Sequence, residues 1–175
     1  MKFSRALAAS VAVVALLTAQ NVRAGPPDYV GFGERFKLVA RISTSIKSCE
    51  RFGYRTGVSS SDEMLDRLVN PAINDAIRGG IDLTTAKAMM AGALQEESAN
   101  QKYLSDHAAD GANTTAELEA AAVTMLDYWA ARCAELADDP LGRRFIVHTT
   151  PEAEAAARQA QIDALRKAIR DAAAE

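Results

Sequence analysis

Glu97 is the residue whose position points most directly to chemistry. Between Asp82 and Leu104 the apolar residues Leu83, Ala86, Met90, Ala93, Leu94 and Leu104 recur at helical spacing. On that wheel Glu97 falls between Met90, Leu94 and Leu104, with Gln101 beside it. A carboxylate on the buried side of a helix needs a cation or strong donors; without them it holds its proton and can serve as a general acid. The structural alternative is a glutamate near the helix end paired with an arginine such as Arg41 or Arg51. A second set is Asp106, Asp110, Thr114 and Glu117, oxygen donors arranged around the turn-former Gly111. Such donors suit a hard cation, calcium above all. The alternative is turn chemistry, in which Thr114 and Glu117 form a T-x-x-E capping box. The two histidines, His107 and His148, fall in stretches read as non-helical. Either could act as a base, and neither has a partner in the pattern.

Two local resemblances follow from these residues. Asp106 to Leu118 resembles an EF-hand calcium loop, with Asp106 as the first ligand, Asp110 as the third and Gly111 at the sharp turn. Thr114 stands where a side chain or water serves, and Glu117 where the bidentate carboxylate closes the shell. The loop departs at Ala108, where a second carboxylate belongs, and at Asn113, where an apolar residue ties paired loops together; no second copy exists. Glu97-Ser98 resembles the Glu-Ser start of the lytic transglycosylase motif, which implies a glutamate acting as acid and base on peptidoglycan. The G-L-x-Q-type segment of that motif does not follow. There is no G-x-S-x-G, H-E-x-x-H, P-loop or dinucleotide fingerprint.

Residues 1–24 read as a secretory signal: a basic start at Lys2 and Arg5, an apolar run from Ala6 to Ala19, and Val22-Arg23-Ala24 before Gly25-Pro26-Pro27. The run is too short to span a bilayer as a stable helix. Cleavage near Ala24 would remove Lys2, Arg5 and Arg23, leaving 17 basic against 23 acidic residues. An acidic chain without a Lys/Arg cluster is not built for nucleic acid or for anionic membrane surfaces. The two cysteines, Cys49 and Cys133, are expected to form one disulfide in a periplasmic or secreted protein. No C-x-x-C is present, so a thioredoxin-type centre, a zinc knuckle and attached haem are all unavailable.

The elements that position these residues read as helices, since aromatic residues make up 6% of the chain and β-branched ones are sparse beside alanine and leucine. Residues 25–33 read as an irregular strap. Leu38, Ile42, Ile46 and Cys49 mark a helix over Glu34 to Phe52, stopped by Gly53. After a polar loop over 54–60, Ser60 and Glu63 open a second helix, with a kink or break expected at Asn70 before Pro71. A third helix is capped by Asp82 or Thr84, and a fourth begins at Thr114 with Leu118, Ala122, Met125, Trp129, Cys133 and Leu136 on one face.

The fold class expected is therefore all-α: a small bundle of about four amphipathic helices over 25–142, a solitary extended connector over 143–150 and a C-terminal amphipathic helix over 151–175. Both cysteines lie on apolar stripes, so the disulfide joins the first and fourth helices from inside. The last helix carries a thin stripe of Ile162, Leu165, Ile169 and Ala172, with within-helix pairs Glu154–Arg158 and Asp163–Lys167. The stripe either lies on the bundle or suits a partner or a second copy of the chain. The expectation is a non-enzymatic exported protein that binds another protein or an envelope component, without a cofactor. A calcium module at 106–117 and a cell-wall enzyme using Glu97 are the alternatives.

Overall fold

A computed structural model describes residues 25–174. The expected signal segment, 1–24, lies outside them. The first helix, α1 (Tyr29–Arg51), starts at Tyr29 rather than Glu34, because the Asp28 carboxylate accepts the Gly31 N–H at 2.8 Å and caps it. Most of the expected strap is thus helical. This helix buries Phe36, Val39, Ile42, Ile46 and Cys49, with Leu38 half-buried.

α2 (Ser61–Met64) begins at the Ser60 cap and passes through a π-helical turn, Leu65–Val69, into α3 (Asn70–Arg78). The capping box here is displaced by one residue. Ser60 accepts the Glu63 N–H, but the Glu63 carboxylate reaches back to the N–H and hydroxyl of Ser59, both at 2.8 Å. The expected break at Asn70 does not occur. Asn70 has helical dihedrals, φ −61° and ψ −41°, and its N–H donates to the Leu65 carbonyl. Pro71 has no N–H to offer the carbonyl four residues back. The widened turn immediately before it has already left that register, so the helix continues without a new cap.

α4 (Leu83–Asp106) is capped by Asp82, which accepts the Thr85 N–H at 2.9 Å. α5 (Thr115–Asp138) opens with a complete capping box between Thr114 and Glu117. α6 (Pro151–Ala173) has Thr150 as its cap and proline in its first turn. Between α5 and α6 the connector is a short 3-10 turn, Gly142–Arg144, followed by β2 (Ile146–Val147). This strand is not solitary. It pairs antiparallel with β1 (Arg55–Thr56), in the register Arg55↔Val147 and Thr56↔Ile146. Its partner lies in the stretch expected as polar loop, and the buried side chains of Phe145 and Ile146 anchor the pair to the core.

Side-chain contacts fix the helix directions. Gln101 bonds Thr44, and a Cβ placed on Gly33 would meet Met89, so α4 runs parallel to α1. Arg132 bonds Ser45 and Glu135 bonds Arg41, so the C-terminal part of α5 lies against the middle of α1. Arg158 pairs with Asp127, and Arg166 and Arg170 with Glu119, so α6 runs antiparallel to α5. The Cys49–Cys133 disulfide joins α1 and α5, and both cysteines are fully buried.

α6 lies along α5 with Ile162 buried, Leu165 and Ile169 half-buried and Ala172 exposed. Of the two uses the stripe allowed, lying on the bundle or facing a partner, its large side chains take the first. The expected pairs within α6 do not form. Arg158 goes to Asp127 and Glu154 to His148, while Asp163 accepts from Gln159 and Lys167 pairs with Asp171. Asp127 of α5 takes Arg158, the connector takes Glu154, and Lys167 and Asp163 find other partners within α6.

Candidate functional site

The buried polar groups gather where α1, α4 and α5 meet. Glu97 is on the inward side of α4, and its partner is Arg132 of α5, not the expected Arg41 or Arg51. Arg132 donates through Nη2 to Glu97 Oε1 at 2.5 Å and through Nε to Ser45 Oγ at 3.0 Å. Its Nη1 lies 3.4 Å from the Tyr128 hydroxyl, and its guanidinium sits 5.5 Å from the centroid of the Trp129 ring. Gln101 donates to Glu97 Oε1 at 3.0 Å and to Thr44 Oγ1 at 2.6 Å. Only 12% of the Glu97 side chain and 6% of the Arg132 side chain are exposed. Arg41 is instead held by both oxygens of Glu135 at 2.9 Å, and Arg51 is exposed.

Arginine has donors only, so it satisfies the glutamate as an acceptor and the pair closes on itself. On its outer side Glu97 lines a surface pocket of about 130 Å³, together with Lys37, Arg41, Ala93, Glu96 and Asn100. Pockets that enclose small organic ligands run to roughly 300 Å³ or more. The arrangement supports α4 against α5 and gives Glu97 an internal partner rather than an open cleft. Arg132, Ser45 and Tyr128 are absent from the sequence reading. The signal that could have found Arg132 is its place beside Cys133, three residues after Trp129 and four before Leu136, on the stripe of α5.

The four oxygen-bearing residues of the 106–117 segment are only partly brought together. Asp106 ends α4 and pairs with Lys102, Asp110 is exposed in the turn, and Gly111 takes φ +82°. Glu117 accepts the N–H groups of Asn113 at 2.8 Å and Thr114 at 2.9 Å. These donors, the Asn113 amide first, hold its carboxyl below the usual range. Thr114 and Glu117 act as a helix cap, and Asn113 turns its side-chain amide to the Gly111 carbonyl. Among the described residues no three His, Cys, Asp or Glu side chains come together so as to hold a metal ion. His107 stacks on Tyr103, and His148 lies between Asp138 and Glu154.

One surface feature was not legible beforehand. Tyr29 and Val30 at the start of α1, Ile77 near the end of α3 and Leu83 at the start of α4 are large apolar side chains exposed by 36% to 78%. They share one pole of the molecule. Phe32 packs against Gly79 there so closely that a Cβ would fall 2.4 Å from the ring, and Pro27 covers Gly80. Asp28, Arg78 and Asp82 lie exposed beside them in the chain.

Comparisons with family models, with curated proteins and with solved structures returned no match. What the chain does must be argued from its own chemistry. The disulfide fits an extracytoplasmic protein. No helix among the described residues is long and apolar enough to cross a membrane.

Proposed function

We propose that this is an exported, non-enzymatic binding protein that docks another protein or an envelope component through the apolar pole. The observation that carries the reading is the grouping of Tyr29, Val30, Ile77 and Leu83 on a foundation locked by Phe32 and Pro27. Large apolar side chains left exposed at one end of a molecule, with polar neighbours, mark interaction surfaces more often than singly scattered ones do. A tyrosine among them supplies a large amphipathic anchor at low entropic cost. A preorganised patch also loses little freedom when it is covered. The exported location draws support from the disulfide and from the signal-like residues 1–24.

Position-specific photocrosslinking in living cells tests this reading. A crosslinker at Val30 or Leu83 is expected to give a discrete higher-mass product that is absent when it stands at Arg143. The same products at all three positions, or none at any, would overturn the reading.

A further inference from the structure

Asp110-Gly111 is the one Asp-Gly pair in the sequence, and Asn-Gly does not occur. The pair stands in the turn between α4 and α5, with both residues exposed. Among the described residues the Asp110 carboxyl has neither a hydrogen bond nor an ion pair. Every other described aspartate except Asp62 has a donor, a cation or a histidine against it. The backbone is open at the same point. The Asp110 N–H donates to the His107 carbonyl at 3.2 Å and the Ala112 N–H to the Ala109 carbonyl at 3.0 Å, while the Gly111 N–H between them has no acceptor among the described residues. Gly111 has no Cβ of its own, and one built there would meet nothing within 4 Å. Asp62 differs on each of these counts: its successor is Glu63, and the Glu63 N–H is held by the Ser60 hydroxyl at 3.1 Å.

We propose that Asp110 is a self-modification site, at which the folded chain converts its own aspartyl peptide into an isoaspartyl one through a cyclic imide. The Gly111 nitrogen attacks Cγ of the Asp110 carboxylic acid. The N–Cγ bond forms, the C–O bond breaks, and the departing hydroxyl takes the amide proton away as water. Water then opens the ring. Addition at Cγ breaks the new bond and restores aspartate; addition at the main-chain carbonyl carbon breaks the old peptide bond and leaves isoaspartate. No oxidant, cofactor or second protein enters. A nitrogen tied into a helix ladder, or carrying a neighbour with a Cβ in the way, cannot swing onto the side chain; the Gly111 nitrogen is neither. The product runs its main chain through Cβ and Cγ of residue 110, one atom longer than before, with the α-carboxylate left as a short side group. The turn in which the Asn113 side-chain amide holds the Gly111 carbonyl at 2.8 Å must then be rebuilt. The converted fraction therefore grows with the age of the molecule.

Peptide mapping of aged protein reads this directly. The natural protein is held folded in neutral buffer at physiological temperature for several weeks, then reduced and digested. Its fragments are analysed by electron-transfer fragmentation, which separates isoaspartate from aspartate of equal mass. Isoaspartate is expected to accumulate at Asp110 and not at Asp62, with a minor species lighter by one water at the same place. Asp110→Glu, whose ring would need six members rather than five, should lose the signal. Asp110→Asn, which expels ammonia in place of water, should reach the same product sooner. Absence of isoaspartate at Asp110, equal conversion at Asp62, conversion confined to protein unfolded in urea, a signal that Asp110→Glu retains, or an Asp110→Asn variant no faster than the natural protein would each overturn the proposal.

Discussion

Arg132, the neighbour of the disulfide cysteine Cys133, reaches from α5 to Glu97 on α4, and the two charges meet almost out of contact with water. Charges so placed are costly to separate and much less costly to replace together. Glu97→Leu alone leaves a guanidinium inside without its carboxylate and is expected to cost about 3 kcal/mol in urea unfolding. The double variant Glu97→Leu, Arg132→Met should recover most of that loss. If the double variant is no more stable than the worse single one, the coupling is wrong.

The disulfide closes a loop across a sequence separation of 84 residues. In the chain-entropy account such a loop contributes about 4 to 5 kcal/mol, comparable to the whole stability of a marginal domain. Replacing Cys49 and Cys133 with alanine should lower the urea midpoint accordingly. Thiol labelling of unreduced, denatured protein should detect no free thiol. An unchanged midpoint would refute the first expectation and two labelled cysteines the second.

Acid should act through the helix caps. The Ser59 amide first, then Arg67 and the Ser59 hydroxyl, hold Glu63 down to about 2 from an ordinary 4.5, and Glu117 and Asp82 are lowered by donors at their own caps. A carboxyl lowered by folding contributes stability above its unfolded value, and that contribution fades as pH falls through the folded one. The side-chain carbon of Glu63 should therefore titrate with a midpoint about 2. A midpoint near the ordinary value would sink this reading of the displaced cap. Thr114→Ala, which removes the hydroxyl that receives the Glu117 N–H, should cost about 1 kcal/mol.

Gly53 has φ +85°, and a Cβ there would come within 3.1 Å of the Ala153 carbonyl oxygen and of Ala157 Cβ. Gly53→Ala should thus be doubly unfavourable, costing about 2 kcal/mol and loosening the first turns of α6. Gly92→Ala is the matched control. It lies inside α4 with open space around it, so alanine should stabilise by about 0.5 to 1 kcal/mol. Thermal melts that fail to separate the two variants would count against the packing of α6 on the Gly53 turn.

Calcium provides a direct check on the 106–117 segment. With Glu117 closed on two backbone amides and Asp106 on Lys102, about 1 mM calcium should leave the amide resonances of that segment unmoved. A saturable shift at Asp106, Asp110 and Glu117 would restore the metal-binding reading.

What the sequence made legible is local. Asp82, Thr114 and Thr150 announce their helices because a cap and its target N–H lie within three residues of each other. The all-α architecture and the internal disulfide follow from stripes that each helix carries by itself. Contacts between distant segments were not legible. Arg55 pairs with Val147 and Arg132 with Glu97 across separations that no periodicity encodes. Pro71 misled for another reason: the rule that proline breaks a helix assumes an unbroken i→i−4 ladder, and the π turn at Leu65–Val69 removes that premise. Of the candidate sites, the burial of Glu97 could be read from the wheel, whereas the identity of its cation could not. The apolar pole escaped because its four residues come from three segments.

The chain has two cysteines, one in the first helix and the other in the fifth. A chain that emerges from its N-terminus therefore carries Cys49 as a thiol until α2, α3, α4 and most of α5 have followed. With no third cysteine, oxidation cannot scramble within a molecule. The competing product is a bridge between two molecules, whose rate rises with concentration while that of the internal bond does not. Crowding at the site of oxidation, rather than the choice of partner sulfur, is the hazard this arrangement leaves open.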